Sequence, residues 1–332
     1  MRFGPVPLAG AEGAVLAHSV GSGEARLRKG AVLTQADLAR LQDWGVAEVT
    51  VARLDPGDVA EDAAAGALAA ALVPDPVGQG LRLSQAFTGR VNLNAVGPGV
   101  ADLDVAAVQA LNRIDPAITL ATLPPLHRVV AGTLVGTVKI ISYAVDGAAL
   151  MRACAAARAA IRVRPVVRQT AGLVLSEVPG QAAGLTAKGR RVMEARVRAL
   201  GMRLSAVEVV AHAPDAIAAA LSRMQVDLVM ILTGSATSDL HDTAPQAVRM
   251  AGGAVARFGM PVDPGNLLFL GQLRGSPVIG LPGCARSPAL NGADWVLERL
   301  ACGIEVTDAD IAAMGVGGLL KEIPIRPQRR EP

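Results

Sequence analysis

From Ala171 onward the chain alternates between two hydrophobic rhythms. AGLVLSEV, RLSAVEVV and VDLVMIL are short runs rich in Val, Leu and Ile, the pattern of strands. Between them, LTAKGRRVMEARVRALG and PDAIAAALSRM carry apolar residues at the three- and four-residue spacing of helices. A loop and a third helix, APQAVRMAG, follow VDLVMIL. Further strands are predicted at 254–258, 267–272 and 277–281. A last helix is predicted from Pro288 to about Leu300, with Ser287 as N-cap and Pro288 in the first turn. Strand–helix alternation of this kind builds a mostly parallel sheet covered by helices on both faces, an α/β fold.

The first half is less regular. GVAEVTVARL (45–54) reads as a strand, and TQADLARLQD (34–43) as a helix capped by Thr34 with Leu38 and Leu41 on one face. An Ala-rich helix, EDAAAGALAAAL (61–72), precedes the Pro/Gly break PDPVGQG (74–80), where a boundary or hinge is expected. Leu103, Val105, Val108 and Leu111 recur at helical spacing, TVKIISYAV (137–145) reads as one strand and 146–161 as a helix, with Arg162–Arg168 an extended basic connector. The expected organisation is a β-rich region at 1–80, an α+β linker region at 81–166, the α/β domain at 167–305 and a tail at 306–332.

Composition narrows the function. The 332 residues are 51% hydrophobic but only 2% aromatic, so the cores must be close-packed from small aliphatic side chains. A net charge of +3 with scattered arginines, and only four Phe, two Trp and one Tyr, argues against a nucleic-acid surface. Charged residues interrupt the apolar runs before the ~18 residues a membrane helix needs, and the N-terminal stretch has no signal-peptide core. Cys154, Cys284 and Cys302 are too dispersed for a disulfide framework or a zinc ribbon. The expectation is a soluble, cytoplasmic protein without membrane or nucleic-acid partners.

Ligands of open parallel sheets gather at the carboxyl ends of the strands, and two loops there carry suitable chemistry. The first, TGSATSDLHDT (233–243), follows the buried run VDLVMIL and enters a helix. Its glycine and small hydroxyl residues let backbone N–H groups approach an anion, although an ordinary capped turn explains the same composition. The second, LPGCARS (281–287), adds Arg286, a fork able to grip a phosphate or a solvated surface cation.

Thr233–Leu300 resembles the molybdopterin-binding domain shared by molybdopterin adenylyltransferases and molybdenum insertases. TGSATSDLHDTAPQAV is similar to the adenylyltransferase turn followed by Asp-x-Thr-x-x-x-Ala, with Asp242 on its aspartate and Thr243 adjacent. FGMPVDPGN (258–266) and VIGLPGCARS (278–287) resemble the insertase Pro-Gly loop and Leu-Pro-Gly turn. Upstream, GRVNLNAVGPGVADLDVAAVQALNRIDPAITLATLPP and GTVKIISYAV look like a subgroup in which this module precedes a nucleotidyltransferase domain. The resemblance implies a three-layer α/β/α domain, usually oligomeric, that binds molybdopterin or its adenylated form.

The site it implies comprises Thr233, Gly234, Ser235, Asp239, Asp242, Thr243, Pro264, Gly265, Pro282, Gly283, Arg286 and Ser287. Asp242 is the catalytic candidate, and Asp239 with Asp242 the magnesium candidates, since that cation prefers oxygen ligands. A nucleotide, ATP/AMP or CTP-derived, is the implied second cofactor. A cytidylyltransferase or a molybdenum hydroxylase is the implied partner of a homo-oligomer.

Three departures bear on activity. Ser235-Ala236-Thr237 add Cβ atoms where the catalytic families have glycines. Asp263 replaces the lysine before Pro-Gly, reversing the charge offered to a phosphate, and Cys284 replaces an asparagine. Cys284 reads more readily as a packed small residue, His241 as a surface residue, Glu177 as a strand-end acid and Thr186 as a helix cap. Three functions stay open: a binder in molybdenum-cofactor biosynthesis that carries molybdopterin, an active molybdotransferase or adenylyltransferase, and a structural or regulatory oligomer that has lost its ligand.

Overall fold

The computed structural model describes residues 1–320, and the chain divides into two compact units, Met1–Arg164 and the part from Pro165 onward. In the first unit, Arg2–Pro7, Glu48–Arg53 and Val15–Leu16 form an antiparallel sheet over Leu16, Leu38, Leu41 and Val51. The helix Gln35–Asp43 begins at Thr34, whose hydroxyl and backbone N–H engage Asp37 in a capping box, as the sequence predicts. A second sheet runs in the order Leu81–Leu83, Arg90–Ala95, Leu134–Ile140, Ile118–Thr122. RVNLNA shows why it is a sheet, because Val91, Leu93 and Ala95 point inward and alternate with less buried residues.

Three expectations for this unit need correction. The stretch 137–145 is two strands, Leu134–Ile140 and Ala144–Asp146, with exposed Ile141 in the break. The helix predicted to 161 ends at Ala156, and Ile161–Pro165 is a strand in a three-stranded sheet with Gly99–Leu103 and Arg128–Val129. Period two decides this: Ile161 and Val163 are buried, whereas Arg162 and Arg164 point outward and both donate to Asp102. Leu103 belongs to a strand, and its helix spans only Val105–Asn112.

The second unit alternates strand and helix: β1 Thr170–Glu177, α1 Leu185–Ala199, β2 Arg203–Ala211, α2 Pro214–Arg223, β3 Leu228–Leu232 and α3 Thr243–Met250. It continues with β4 Ala254–Phe258, β5 Phe269–Leu273, β6 Ser276–Leu281, α4 Gly292–Ala301 and α5 Asp308–Ala313. The sheet order is β2-β1-β3-β6-β5-β4; the first four strands are parallel and the last two pairings antiparallel. Met230 and Leu232 pack with residues of α1 and α4 on one face, Val229 and Ile231 with residues of α2 and α3 on the other. That two-sided burial makes β3 a continuous apolar run and gives three layers, α/β/α.

The last long helix starts later than predicted. Gly283–Arg286 is a short 3-10 turn, and α4 begins at Gly292, with Asn291 as N-cap and Asp294 completing a capping box. Arg196 of α1 explains the delay. Its guanidinium donates to the carbonyls of Ala285, Ser287 and Ala289 and to both carboxylate oxygens of Asp294. Carbonyls committed to Arg196 hold 287–289 out of an α-helix, whose own N–H groups would otherwise need them. Of the expected tail, 306–320 includes α5, and 321–332 lie outside the described residues. Among the described residues no helix is long and apolar enough to cross a membrane.

Candidate functional site

Because β1, β3 and β6 are neighbouring parallel strands, the loops that leave their carboxyl ends, at 178–184, 233–242 and 282–291, emerge side by side. At the start of the middle loop, Thr233 is buried and its hydroxyl donates to the Ser235 carbonyl (2.5 Å). Gly234 N–H donates to Ser176 Oγ at the end of β1 (3.2 Å). A Cβ at Gly234 would stand 2.7 Å from the Ser176 carbonyl oxygen and 3.0 Å from Val178 N, so glycine is what lets the two loops close on each other.

Arg286 bridges the second and third loops. Its Nη2 donates to the Thr233 carbonyl (2.6 Å), while its Nε is buried without a hydrogen-bond partner. Burial pushes the guanidinium below its ordinary pKa. A half-buried cation where two strand-end loops meet is equipped to receive an anionic group.

Asp242 spends its carboxylate on its own loop. Oδ2 accepts from Ser238 N (2.8 Å) and Ser238 Oγ, and Oδ1 from Thr243 N, which makes Asp242 the N-cap of α3. Desolvation is the largest single influence and raises its pKa, but the bonds from Ser238 and Thr243 together outweigh it and hold the carboxyl below its usual range. Stability from this group is therefore present above the unfolded carboxylate pKa and is lost as pH falls through the lower folded value. Asp242→Ala should cost about 1 kcal/mol at pH 7, the usual worth of a cap. Urea titrations should show the gap to the unchanged protein narrowing below about pH 4.

The other residues singled out fall into two groups. Asp239 accepts from His241 N, and both are exposed. Pro264 and Gly265 lie against the start of α4: Gly292 N donates to the Pro264 carbonyl (2.8 Å), and a Cβ on Gly265 would stand 2.9 Å from Gly292 N. Cys284 Sγ meets the same helix start, accepting from Asn291 Nδ2 (3.1 Å). Pro282 is buried, and Gly283 and Ser287 are exposed. Thr186 does not cap its helix. Gly184, at φ +80°, is the N-cap, and the Thr186 hydroxyl donates to Glu177 Oε1 (2.5 Å) instead.

Among the described residues no group of three or more His, Cys, Asp or Glu side chains is placed to hold a metal ion. Both Asp242 oxygens accept from their own loop, so magnesium at Asp239 and Asp242 would take most of its ligands from phosphate and water.

A cleft of about 580 Å³ opens at the first of these loops, lined by residues that include Glu177, Val178, Gln181, Thr186, Arg190 and Val209, and no residue of 233–243 or 282–287 lines it. Of its lining residues, only Glu177 carries a possible ligand role in the sequence. Gln181 Nε2 donates to Thr186 Oγ1 (2.8 Å), continuing the chain from Glu177 across the cleft wall. Ser176, Gln181 and Arg190 were missed. The one available signal was Ser176, a hydroxyl closing an otherwise apolar strand.

Residues 183–301 match the model of a probable molybdopterin binding domain, and residues 5–53 match a domain of unknown function (DUF8806). The molybdopterin-binding match lies wholly within the second unit. No curated protein matches the chain. Among solved structures, a molybdopterin biosynthesis moea protein from Pyrococcus horikosii is 14% identical, with 92% of this chain and 76% of that one covered at a TM-score of 0.32. A molybdenum cofactor biosynthesis protein from Pyrococcus furiosus is 13% identical, with 94% and 65% covered at a TM-score of 0.23.

Proposed function

From the match of residues 183–301 to a probable molybdopterin binding domain, we propose that this protein binds molybdopterin, or its nucleotide-linked form, in molybdenum-cofactor biosynthesis. The pterin's phosphate sits where the loops after β3 and β6 meet. The observation that carries the reading is Arg286, a half-buried cation at the meeting of these two loops whose Nη2 is anchored on the Thr233 carbonyl (2.6 Å). An anion at this loop junction pairs with the guanidinium charge. Residues 167–305 act as the binding domain, in the cytoplasm, and hand the cofactor to a nucleotidyltransferase or a molybdenum hydroxylase.

Binding is favoured over catalysis for two reasons. Asp242 is consumed by its own turn, and Asp263 sets an acid where a phosphate-binding lysine would serve the transferases. Calorimetry with molybdopterin should give saturable binding that Arg286→Ala weakens about 100-fold, the loss expected for a charge-assisted pair in a half-buried site. Unchanged affinity in that variant would remove Arg286 from the site, and no binding by the unaltered protein would end the proposal. Adding Mg-ATP and molybdate should yield no AMP-linked product; its appearance would make the protein a transferase.

A further inference from the structure

Ser176 is 2% exposed, and its hydroxyl has two neighbours: Gly234 N, which donates to it at 3.2 Å, and His212 Nδ1, at 2.9 Å. A serine hydroxyl has one proton to give and lone pairs to receive. With Gly234 N–H pointing into the oxygen, the proton of this enclosed hydroxyl is satisfied by donation to Nδ1, which places the imidazole proton on Nε2. His212 is itself fixed, because its backbone N–H donates to the Glu177 carbonyl (2.9 Å) and extends the β1–β2 pairing by one residue. A rigid line therefore runs from the end of β2 through His212 and Ser176 to the first glycine of the loop after β3.

We propose that His212 is a positioning residue for the ligand loop. By accepting the Ser176 proton it aims an Oγ lone pair at Gly234 N–H and sets where the 233–243 backbone stands when an anion arrives. This rests on the reading of that loop as part of the molybdopterin site, but the tether itself is a property of the unliganded protein. Loop backbone held in place before binding has less freedom to lose on binding, and that difference appears as affinity.

The test uses the full chain with two readouts, amide exchange at Gly234 without ligand and calorimetric affinity for molybdopterin. His212→Ala should speed exchange at Gly234 and weaken binding about fivefold to tenfold, the usual worth of one buried hydrogen bond. His212→Asn, whose Oδ1 can take the place of Nδ1 as acceptor, should restore both. Ser176→Ala should match His212→Ala, and the double variant should be no worse than either single one, since all act through one N–H. Unaltered Gly234 exchange in His212→Ala, or an Asn variant that behaves like Ala, would overturn the proposal. If the unaltered protein fails to bind molybdopterin, the functional reading falls, and the exchange measurement alone still decides the tether.

Discussion

Arg196→Ala is expected to lower the stability of the second unit by about 3–5 kcal/mol, the cost of removing one partner from a buried ion pair. The Arg196 and Asp294 side chains are each only 12% exposed, and the guanidinium also satisfies three backbone carbonyls. Without it, Asp294 is left charged and enclosed, and the carbonyls of Ala285, Ser287 and Ala289 lose their donor. Urea unfolding at pH 7 should show the loss, and limited proteolysis should show new cleavage within 284–291. Arg196→Lys should recover little, because one ammonium cannot match a five-donor fork. A loss below about 1 kcal/mol, the level of exposed pairs, would mean that the network is ornamental.

Gly280→Ala should be nearly as damaging. Gly280 stands directly opposite Phe269 in the β6–β5 pair, and an added Cβ would fall on the Phe269 ring, which is 1% exposed. The ring covers the glycine and fills the layer beneath α2 and α3 with Val229, Ile231 and Val278. It has no free space to move into, so a cost of about 3 kcal/mol is expected, the upper range for overpacking. Combining Gly280→Ala with Phe269→Leu should cost clearly less than the sum of the two single changes, because the clash disappears with the ring. Additive losses in urea unfolding would refute this account.

The parts of the fold that could be read in the chain are those fixed by local rules. VDLVMIL announces β3 because both its faces are covered, and Thr34 announces its helix as a capping hydroxyl before Leu38 and Leu41 on one face. What could not be read depends on distant partners. Ser287-Pro288 is a sound helix start by local criteria, yet Arg196, some ninety positions earlier, takes the carbonyls that helix would use. The stretch 137–145 looks continuous, but its last part pairs with Asp58–Ala60 and not with the sheet of its first part. Arg286 and Thr233 were each noticeable, whereas their hydrogen bond follows only from the strand order. Ser176 and His212 escaped notice for the same reason: nothing near either residue in sequence reveals the other.

The manner in which Arg196 grips the third loop has a consequence for variation. Apart from Asp294, it recognises main-chain oxygens, which every residue type possesses. Side chains at 289 and 290 can therefore be exchanged while the loop keeps its path, and both are exposed. A library randomised at these positions should retain stability in most members, so the loop tolerates change in sequence without change in path.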